Sequence, residues 1–316
     1  FAMSLPASLE QRLRLPVVAA PMFLVSNPQL VLACCHSGVL GSFPALNQRE
    51  SSGFKAWLEE IEAGLKADSA PYAVNLIVHG SNPRLQADLA ICVEHKVPVV
   101  ITSLGAVKEV VDAVHSYGGL VFHDVTTRRH AEKAAEAGVD GLIAVAAGAG
   151  GHAGTWSPFA LIAEIRQFFD KTLLLSGCLN HGHEVLAAQL LGADLAYMGT
   201  RFIATRESNA QEAYKQMLID CSAGDVVYTD AISGTNANFL WPSLEKLGHR
   251  REELVQGVGK GKLKALTDEA KAWRDVWSAG HGVATIHDAP PVRELCDRLA
   301  AEYRAACAQP PSPALA

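Results

Sequence analysis

The sequence predicts an α/β fold, a (β/α)8 TIM barrel with a helical subdomain inserted after strand eight. Eight short apolar runs predict the strands, and a clear helical pattern follows seven of them. The runs are almost continuously apolar, which is typical of parallel strands buried on both faces. Glycines stand where helices should end, at Gly38, Gly118, Gly138 and Gly192. Eight such units favour a barrel over the alternative, a doubly wound sheet.

The apolar runs and the residues between them predict the boundaries of the barrel elements. Asn27 is a predicted N-cap for the first long helix. Asn82 followed by Pro83 predicts a later helix start, because proline suits the first helical position. Ser157 and Pro158 predict the start of the helix after the sixth strand. The predicted strands are 17–22, 39–43, 72–78, 97–103, 119–125, 140–147, 171–177 and 193–199.

The pattern changes after the eighth strand. Residues 209–280 are richer in charge and have helical periods over 210–221 and 266–277. We therefore predict a barrel made of residues 3–208 and 281–308, with residues 209–280 as a helical insertion. The last helical run, within the second barrel segment, is expected to close the barrel.

Composition excludes several classes of function. The chain has 316 residues, is 49% hydrophobic and 19% charged, and has a net charge of −6 without a long basic block. This balance argues against nucleic acid or an anionic membrane as the main partner. No apolar run is long enough to span a bilayer, and no signal peptide is recognised. Seven cysteines, an odd number without a CxxC pair, favour free thiols and a cytoplasmic location.

The carboxyl ends of the predicted strands carry small, polar or glycine residues, and function in such barrels lies at these ends. Ser176-Gly177 follows the seventh strand and Gly199-Thr200 follows the eighth. Glycine allows close backbone approach, and N–H groups at helix starts bind anions. The two turns therefore predict a phosphate site, the alternative being that the glycines only make tight turns.

The segment "GAGGHAGTW", residues 148–156, follows the sixth strand and contains one histidine, His152. A histidine can accept a proton near neutral pH without a large pKa shift. Flanking glycines would let a flat ligand lie against the backbone, with the imidazole facing it. The alternative is a histidine that only caps a turn. His181 and His183 have no third ligand at a useful spacing, so no metal site is predicted.

"GAGGHAG", together with "LLLSGCLNHGHEVLAAQLLGADLAYMGTRFIATRES", resembles the nitronate monooxygenase family, formerly called 2-nitropropane dioxygenases. Further matches are "VVAAPM", "YAVNLIV" and "GHGVATI". The resemblance implies an FMN-dependent barrel enzyme that oxidises alkyl nitronates or nitroalkanes with dioxygen, giving carbonyl compounds and nitrite. It implies small-molecule partners only and leaves a homodimer open.

The resemblance also implies roles for individual residues. His152 corresponds to the catalytic histidine of the family. Asp124 lies where some relatives have a flavin-facing lysine, which would leave His123 or a backbone N–H to stabilise the reduced flavin. The remaining residues implied to contact FMN are Ala20, Pro21, Met22, Asn75, Gly150, Gly151, Ser176, Gly177, Tyr197, Met198, Gly199 and Thr200.

Three other functions remain open at this stage. The first is an NAD(P)H:quinone reductase or a related flavin reductase on the same barrel. The second is a flavin-free barrel enzyme that acts on a sugar phosphate through the same two turns. The third is a ligand-binding barrel without catalysis.

Overall fold

The computed structural model describes residues 4–105, 108–255 and 276–309. Its strands, in chain order, are β1 (Val17–Ala19), β2 (Gly41–Pro44), β3 (Tyr72–Ile77), β4 (Val99–Ser103), β5 (Leu120–Val125), β6 (Gly141–Val145), β7 (Gly151–His152), β8 (Thr172–Ser176), β9 (Leu195–Met198), β10 (Val226–Thr229) and β11 (Ala237–Leu240). All eight predicted strands are present. The eighth of them is β9, because the glycine-rich loop itself forms the short strand β7.

Eight parallel strands form the barrel and confirm the predicted fold. Their order in the sheet is β1-β9-β8-β6-β5-β4-β3-β2. A parallel bridge between Val18 and Leu40 joins the first and last strands of this order. The Ala19 N–H donates to the Leu40 carbonyl at 2.8 Å, and the Leu40 N–H donates to the Val17 carbonyl at 3.1 Å. Because every pair is parallel, all eight carboxyl ends meet at one rim.

Helices follow the barrel strands and cover the sheet from outside. Their bounds are α1 (Ala7–Glu10), α2 (Pro28–His36), α3 (Ser51–Gly64), α4 (Leu85–Glu94), α5 (Lys108–His115), α6 (Arg128–Glu136), α7 (Pro158–Ile165), α8 (Gly182–Leu191), α9 (Thr200–Ile203), α10 (Glu212–Asp220), α11 (Trp241–Lys246), α12 (Arg251–Val255) and α13 (Val292–Ala308). The last helix packs against α2 and α8, so the chain's carboxyl-terminal part does return to the barrel.

Local sequence signals set some of the helix starts. The Asn27 side chain accepts a hydrogen bond from the Leu30 N–H at 2.7 Å, which confirms the predicted N-cap. The predicted start at Asn82 is wrong, because α4 begins at Leu85. Asn82 instead donates to the Ile77 carbonyl at 2.9 Å and shapes the turn that precedes the helix.

Strand alternation divides the core into two layers. On β5, Phe122 packs inside the barrel with residues such as Ile101 of β4. Val121 and Val125 pack on the opposite face, between the sheet and the helices. Because successive side chains of a strand point to opposite faces, this parity fixes which residues at the rim face the barrel axis.

Residues 209–255 form helices and two strands, so the predicted helical insertion is not helical throughout. The strands β10 and β11 pair antiparallel, and β11 also pairs with β7 of the glycine-rich loop. The predicted helix over 210–221 is present as α10. The second predicted helix, over 266–277, lies outside the described residues except for its last two positions. The division into barrel and insertion stays a prediction.

Among the described residues, we find no helix with the length and apolar content that a membrane crossing needs.

Candidate active site

A cavity of about 1690 Å³ occupies the carboxyl-terminal end of the barrel. Every residue that the sequence analysis placed at the site lines it. These are Ala20, Pro21, Met22, Asn75, His123, Asp124, Gly150, Gly151, His152, Ser176, Gly177, Tyr197, Met198, Gly199 and Thr200. The parallel order of the strands brings them together, because it puts residues far apart in the chain on one rim.

Three inward-facing side chains on adjacent strands form a hydrogen-bonded row on the cavity floor. The Asn75 amide of β3 donates to the Ser103 hydroxyl of β4 at 2.8 Å. That hydroxyl donates to Oδ2 of Asp124 on β5 at 2.5 Å. These residues alternate in step with Ile101 and Phe122, so their side chains point into the barrel as well. The floor row, Asn75–Ser103–Asp124, is therefore a consequence of strand register.

The Asp124 carboxyl is enclosed by protein but borders the cavity. Burial raises its pKa to about 6, and the hydrogen bond from Ser103 acts in the opposite direction. Tyr197 of β9 lies near enough for this carboxylate to affect it: burial, with a further contribution from Asp124, raises the pKa of its phenol well above the ordinary value. The phenol therefore stays neutral over the physiological range.

His123 precedes Asp124 on β5 and consequently faces the opposite side of the sheet. Its Nδ1 lies 2.8 Å from the Thr102 hydroxyl, in the layer beneath the helices. Burial lowers its pKa to about 4, so the ring is neutral at pH 7. His123 borders an outer part of the cavity, but it does not join the floor row. A neutral ring on this face offers no cation to a ligand above Asp124.

The turns after β8 and β9 are side by side, since Ser176 pairs with Tyr197. Outside the strand ladders, none of the described residues accepts a hydrogen bond from the backbone N–H of Cys178, Gly199 or Thr200. A Cβ added at Gly199 would lie 3.8 Å from Ala20 Cβ and 4.0 Å from Met22 Sδ, so the space beside this backbone admits a methyl group in ordinary contact. Unpaired N–H groups around such a space fit an anion, including the phosphate of a cofactor.

The glycine-rich loop is held by residues from the segment after β9. The Gly151 N–H donates to the Ser278 hydroxyl at 2.6 Å, and that hydroxyl donates to the Asn238 carbonyl at 2.6 Å. The Asn238 amide donates to the Ala149 carbonyl at 2.7 Å. The Tyr214 hydroxyl donates to the Ser278 carbonyl at 2.5 Å. We call Tyr214, Asn238 and Ser278 the loop clamp.

Close packing explains why the loop needs glycine. A Cβ at Gly150 would lie 2.9 Å from the Gly280 nitrogen, and a Cβ at Gly148 would lie 2.7 Å from the Cys178 sulfur. Gly151 has φ of 68°, a conformation that side chains disfavour. The run of glycines therefore lets the backbone pass between the clamp and the cavity and carry His152 to the cavity wall.

The His152 side chain is exposed to the cavity, yet protein surrounds it on the other sides. This desolvation lowers its pKa to about 4. At pH 7 the imidazole is therefore neutral and has a nitrogen lone pair that can accept a proton. A proton on this ring is favoured only when a negative charge forms beside it.

The sequence analysis missed the loop clamp. Tyr214 lies in a helix with ordinary periodicity, and Asn238 and Ser278 carry no local motif. Their roles follow from hydrogen bonds to residues far away in the chain, and a single sequence gives no signal for such contacts. Within the described ranges, no group of three or more potential metal ligands occurs, and His181 and His183 stack on each other at 5.4 Å.

The cavity fits a flat, phosphorylated cofactor. The turns after β8 and β9 lie on one side, small residues such as Ala20 and Gly150 line the wall, and a neutral histidine borders the remaining space. Fold and site together define a (β/α)8 barrel with a cavity at its carboxyl-terminal rim, the place where enzymes of this fold bind their substrates and cofactors.

Comparisons with known proteins identify the family of enzymes to which this barrel is similar. The family model described as nitronate monooxygenase matches residues 66–302. A nitronate monooxygenase from Paraburkholderia phytofirmans is 26% identical over 341 residues, covering 92% of both chains. The structure of FabK from Thermotoga maritima has a TM-score of 0.81 at 25% identity, covering 98% of both chains. That of nitroalkane oxidase from Streptomyces ansochromogenes also has a TM-score of 0.81 at 25% identity, covering 98% of this chain and 100% of the other.

The family model covers most of the chain, so the protein belongs to the nitronate monooxygenase family. It is a flavin-dependent oxidoreductase on a TIM barrel.

Proposed function

We propose that the protein is an FMN-dependent enzyme that oxidises alkyl nitronates or nitroalkanes with dioxygen, giving carbonyl compounds and nitrite. The observation that carries this proposal is the position of His152, a neutral imidazole held at the wall of a cavity that has two anion-binding turns. Family membership and the likeness to a nitroalkane oxidase support it.

The cofactor is proposed to be FMN, because the turns after β8 and β9 together form one anion site. The Ser176-Gly177 turn, through the Cys178 N–H, and the N–H groups of Gly199 and Thr200 would hold its phosphate. Ala20, Pro21, Met22, Asn75, Gly150 and Gly151 would line the space for its ring system. When bound, the flavin accepts electrons from the substrate and passes them to dioxygen.

His152 is proposed to act as a general base toward neutral nitroalkanes. The α-C–H bond breaks, the proton moves to a nitrogen of the imidazole, and the electron pair moves onto the nitro group. The nitronate anion formed in this step lies beside the new imidazolium and stabilises it, which offsets the low pKa of the ring in the open cavity. A nitronate supplied as the anion needs no proton removed, and His152 would then orient it.

The proposal is tested by mixing the yellow holoprotein anaerobically with either a nitronate or NADH and following the flavin absorbance. Bleaching by the nitronate and not by NADH supports the proposal. Rapid bleaching by NADH instead identifies a flavin reductase. Folded protein without flavin would favour the sugar-phosphate alternative, and bound FMN that no donor reduces would favour a ligand-binding barrel.

A further inference from the structure

The Asp124 carboxyl is an acidic group on the cavity floor, and the described part of the chain places no cation beside it. Among the described residues, none forms an ion pair with it. The adjacent strand β4 presents the Ser103 hydroxyl, and the adjacent strand β6 presents the apolar Val145. The phenol of Tyr197 also lies near it. A negative charge that forms above this floor therefore has neutral side chains and the Asp124 carboxyl as its nearest neighbours.

The floor row fixes the direction of the hydrogen bonds to this carboxyl. The Asn75 amide nitrogen donates to the Ile101 carbonyl at 3.2 Å and to the Ser103 hydroxyl at 2.8 Å, so both of its hydrogens are engaged. Ser103 consequently receives a hydrogen bond from Asn75 and directs its own hydrogen to Oδ2 of Asp124. Oδ2 is occupied as an acceptor. The other oxygen, Oδ1, makes no hydrogen bond to the described residues and is free to carry a proton.

We propose that Asp124 takes up a proton on Oδ1 when the flavin is reduced, so that proton uptake is coupled to reduction at the cavity floor. This inference rests on the proposed flavin site. Two electrons enter the flavin from the substrate, one O–H bond forms on Asp124, and the proton comes from solvent water. No bond in the protein breaks. Asp124 is a proton-holding residue on the floor, and its charge is removed when negative charge arrives above it.

The physical reason is repulsion between like charges in a poorly hydrated site. Burial already raises the pKa of Asp124 to about 6. Added negative charge on the flavin raises that pKa further, because a nearby like charge disfavours the carboxylate. Between these two pKa values, reduction must draw one proton onto the carboxyl.

Other titratable groups around Asp124 do not compete in this pH range. His123 on the same strand and His152 on the loop both have a pKa lowered to about 4 by burial, so both are neutral above pH 6. The pKa of Tyr197 is raised well above its ordinary value, so this phenol is neutral as well. His130 of α6 acts on His123 from the outer layer and not on the floor.

The test is the midpoint potential of the flavin in the holoprotein, measured by spectroelectrochemistry from pH 5 to 9. In the wild-type protein we expect the midpoint potential to fall more steeply with pH above about pH 6. The reason is that reduction by two electrons then takes up one additional proton, on Asp124. Asp124→Asn keeps the shape of the side chain but cannot take up the proton, so the steepening should be absent.

Ser103→Ala separates this role from a merely structural one. It removes a hydrogen bond that favours the charged carboxylate, so the pKa of Asp124 in the oxidised protein should rise. The steepening should then begin at a higher pH than in the wild type. Equal slopes for wild type and Asp124→Asn, with flavin bound in both, would overturn the proposal.

The outcomes also distinguish this proposal from the proposed function. Folded wild-type protein without flavin contradicts the flavin site itself. If Asp124→Asn does not retain flavin, the wild-type curve decides: a steeper fall of the potential above about pH 6 supports the proposal, and a slope that stays constant or becomes less steep overturns it.

Discussion

The floor and the loop of the cavity are built in different ways. The floor row projects from three adjacent parallel strands, β3, β4 and β5, and each strand is fixed by the barrel ladder. The loop that carries His152 is fixed by β11 and by Ser278, which lies 127 positions from Gly151 in the chain. The floor is therefore as stable as the barrel, whereas the loop depends on the loop clamp. Changes to His152 or to the loop clamp should therefore alter the chemistry more than the binding of the cofactor, whose proposed phosphate turns follow β8 and β9.

The largest effect is expected at the rim of the barrel, from Gly199→Asp. The new carboxylate would project into the space between the two phosphate turns and repel the phosphate, so folded protein should lose its yellow colour. Flavin content per folded protein, measured after denaturation, checks this. Gly199→Ala is the matched control, because its Cβ would meet nothing closer than 3.8 Å. FAD in the wild-type extract, or flavin retained by Gly199→Asp, would contradict the single-phosphate site.

The next effect tests the loop through His152→Asn. General-base catalysis contributes about 10²- to 10⁴-fold in rate, so turnover of neutral nitroalkanes should fall in that range. Turnover of preformed nitronates should fall much less, and the flavin content should stay near that of the wild type. Steady-state oxygen consumption with both substrates measures this. His130→Asn, at the outer rim of the same cavity, is the control. Equal losses for both substrates would reassign His152 to orientation of the nitro group.

A smaller effect is expected from the clamp, through Ser278→Ala. The change removes the acceptor of the Gly151 N–H, and an unsatisfied buried donor costs about 1–3 kcal/mol. With half of that cost falling on the position of His152, turnover should fall about 2- to 13-fold with flavin retained. Kinetics and flavin content together measure this. Ser243→Ala is the control, because Ser243 bonds within the same segment, to Trp277 and Leu240, without contacting the loop. Similar kinetics for both variants would separate the clamp from catalysis.

The smallest effect is expected in the pH dependence of stability, from His123 on the outer face of β5. The folded-state pKa of His123 is lowered to about 4 by burial, below its unfolded value, so the unfolded chain binds more protons between about pH 6.5 and 4. Stability should therefore be lost as the pH falls through this window. His123→Asn should lose less stability than the wild type between pH 7 and pH 5, measured by denaturant unfolding. The exposed His249→Asn is the control, and a parallel loss in both variants would contradict the assignment.

Much of the fold followed from the chain's own pattern. The apolar runs gave all eight barrel strands, because burial on both faces forces a nearly continuous apolar sequence. The ends of the runs were less well predicted: the first run was expected to reach residue 22, but β1 ends at Ala19 before Pro21. At Asn82 the expected cap serves a turn instead, because the hydrogen bond to the Ile77 carbonyl holds it there.

The sequence by itself determined the barrel and predicted the rim as the place of the site, because these depend on local periodicity and on strand order, whereas most of the individual site residues were implied by the resemblance to a family. Only the tertiary structure decided which face of β5 each residue takes at the rim, turning Asp124 inward and His123 outward. It also decided that β11 and Ser278 hold the loop, since hydrogen bonds between residues so far apart in the chain leave no periodic trace in the sequence.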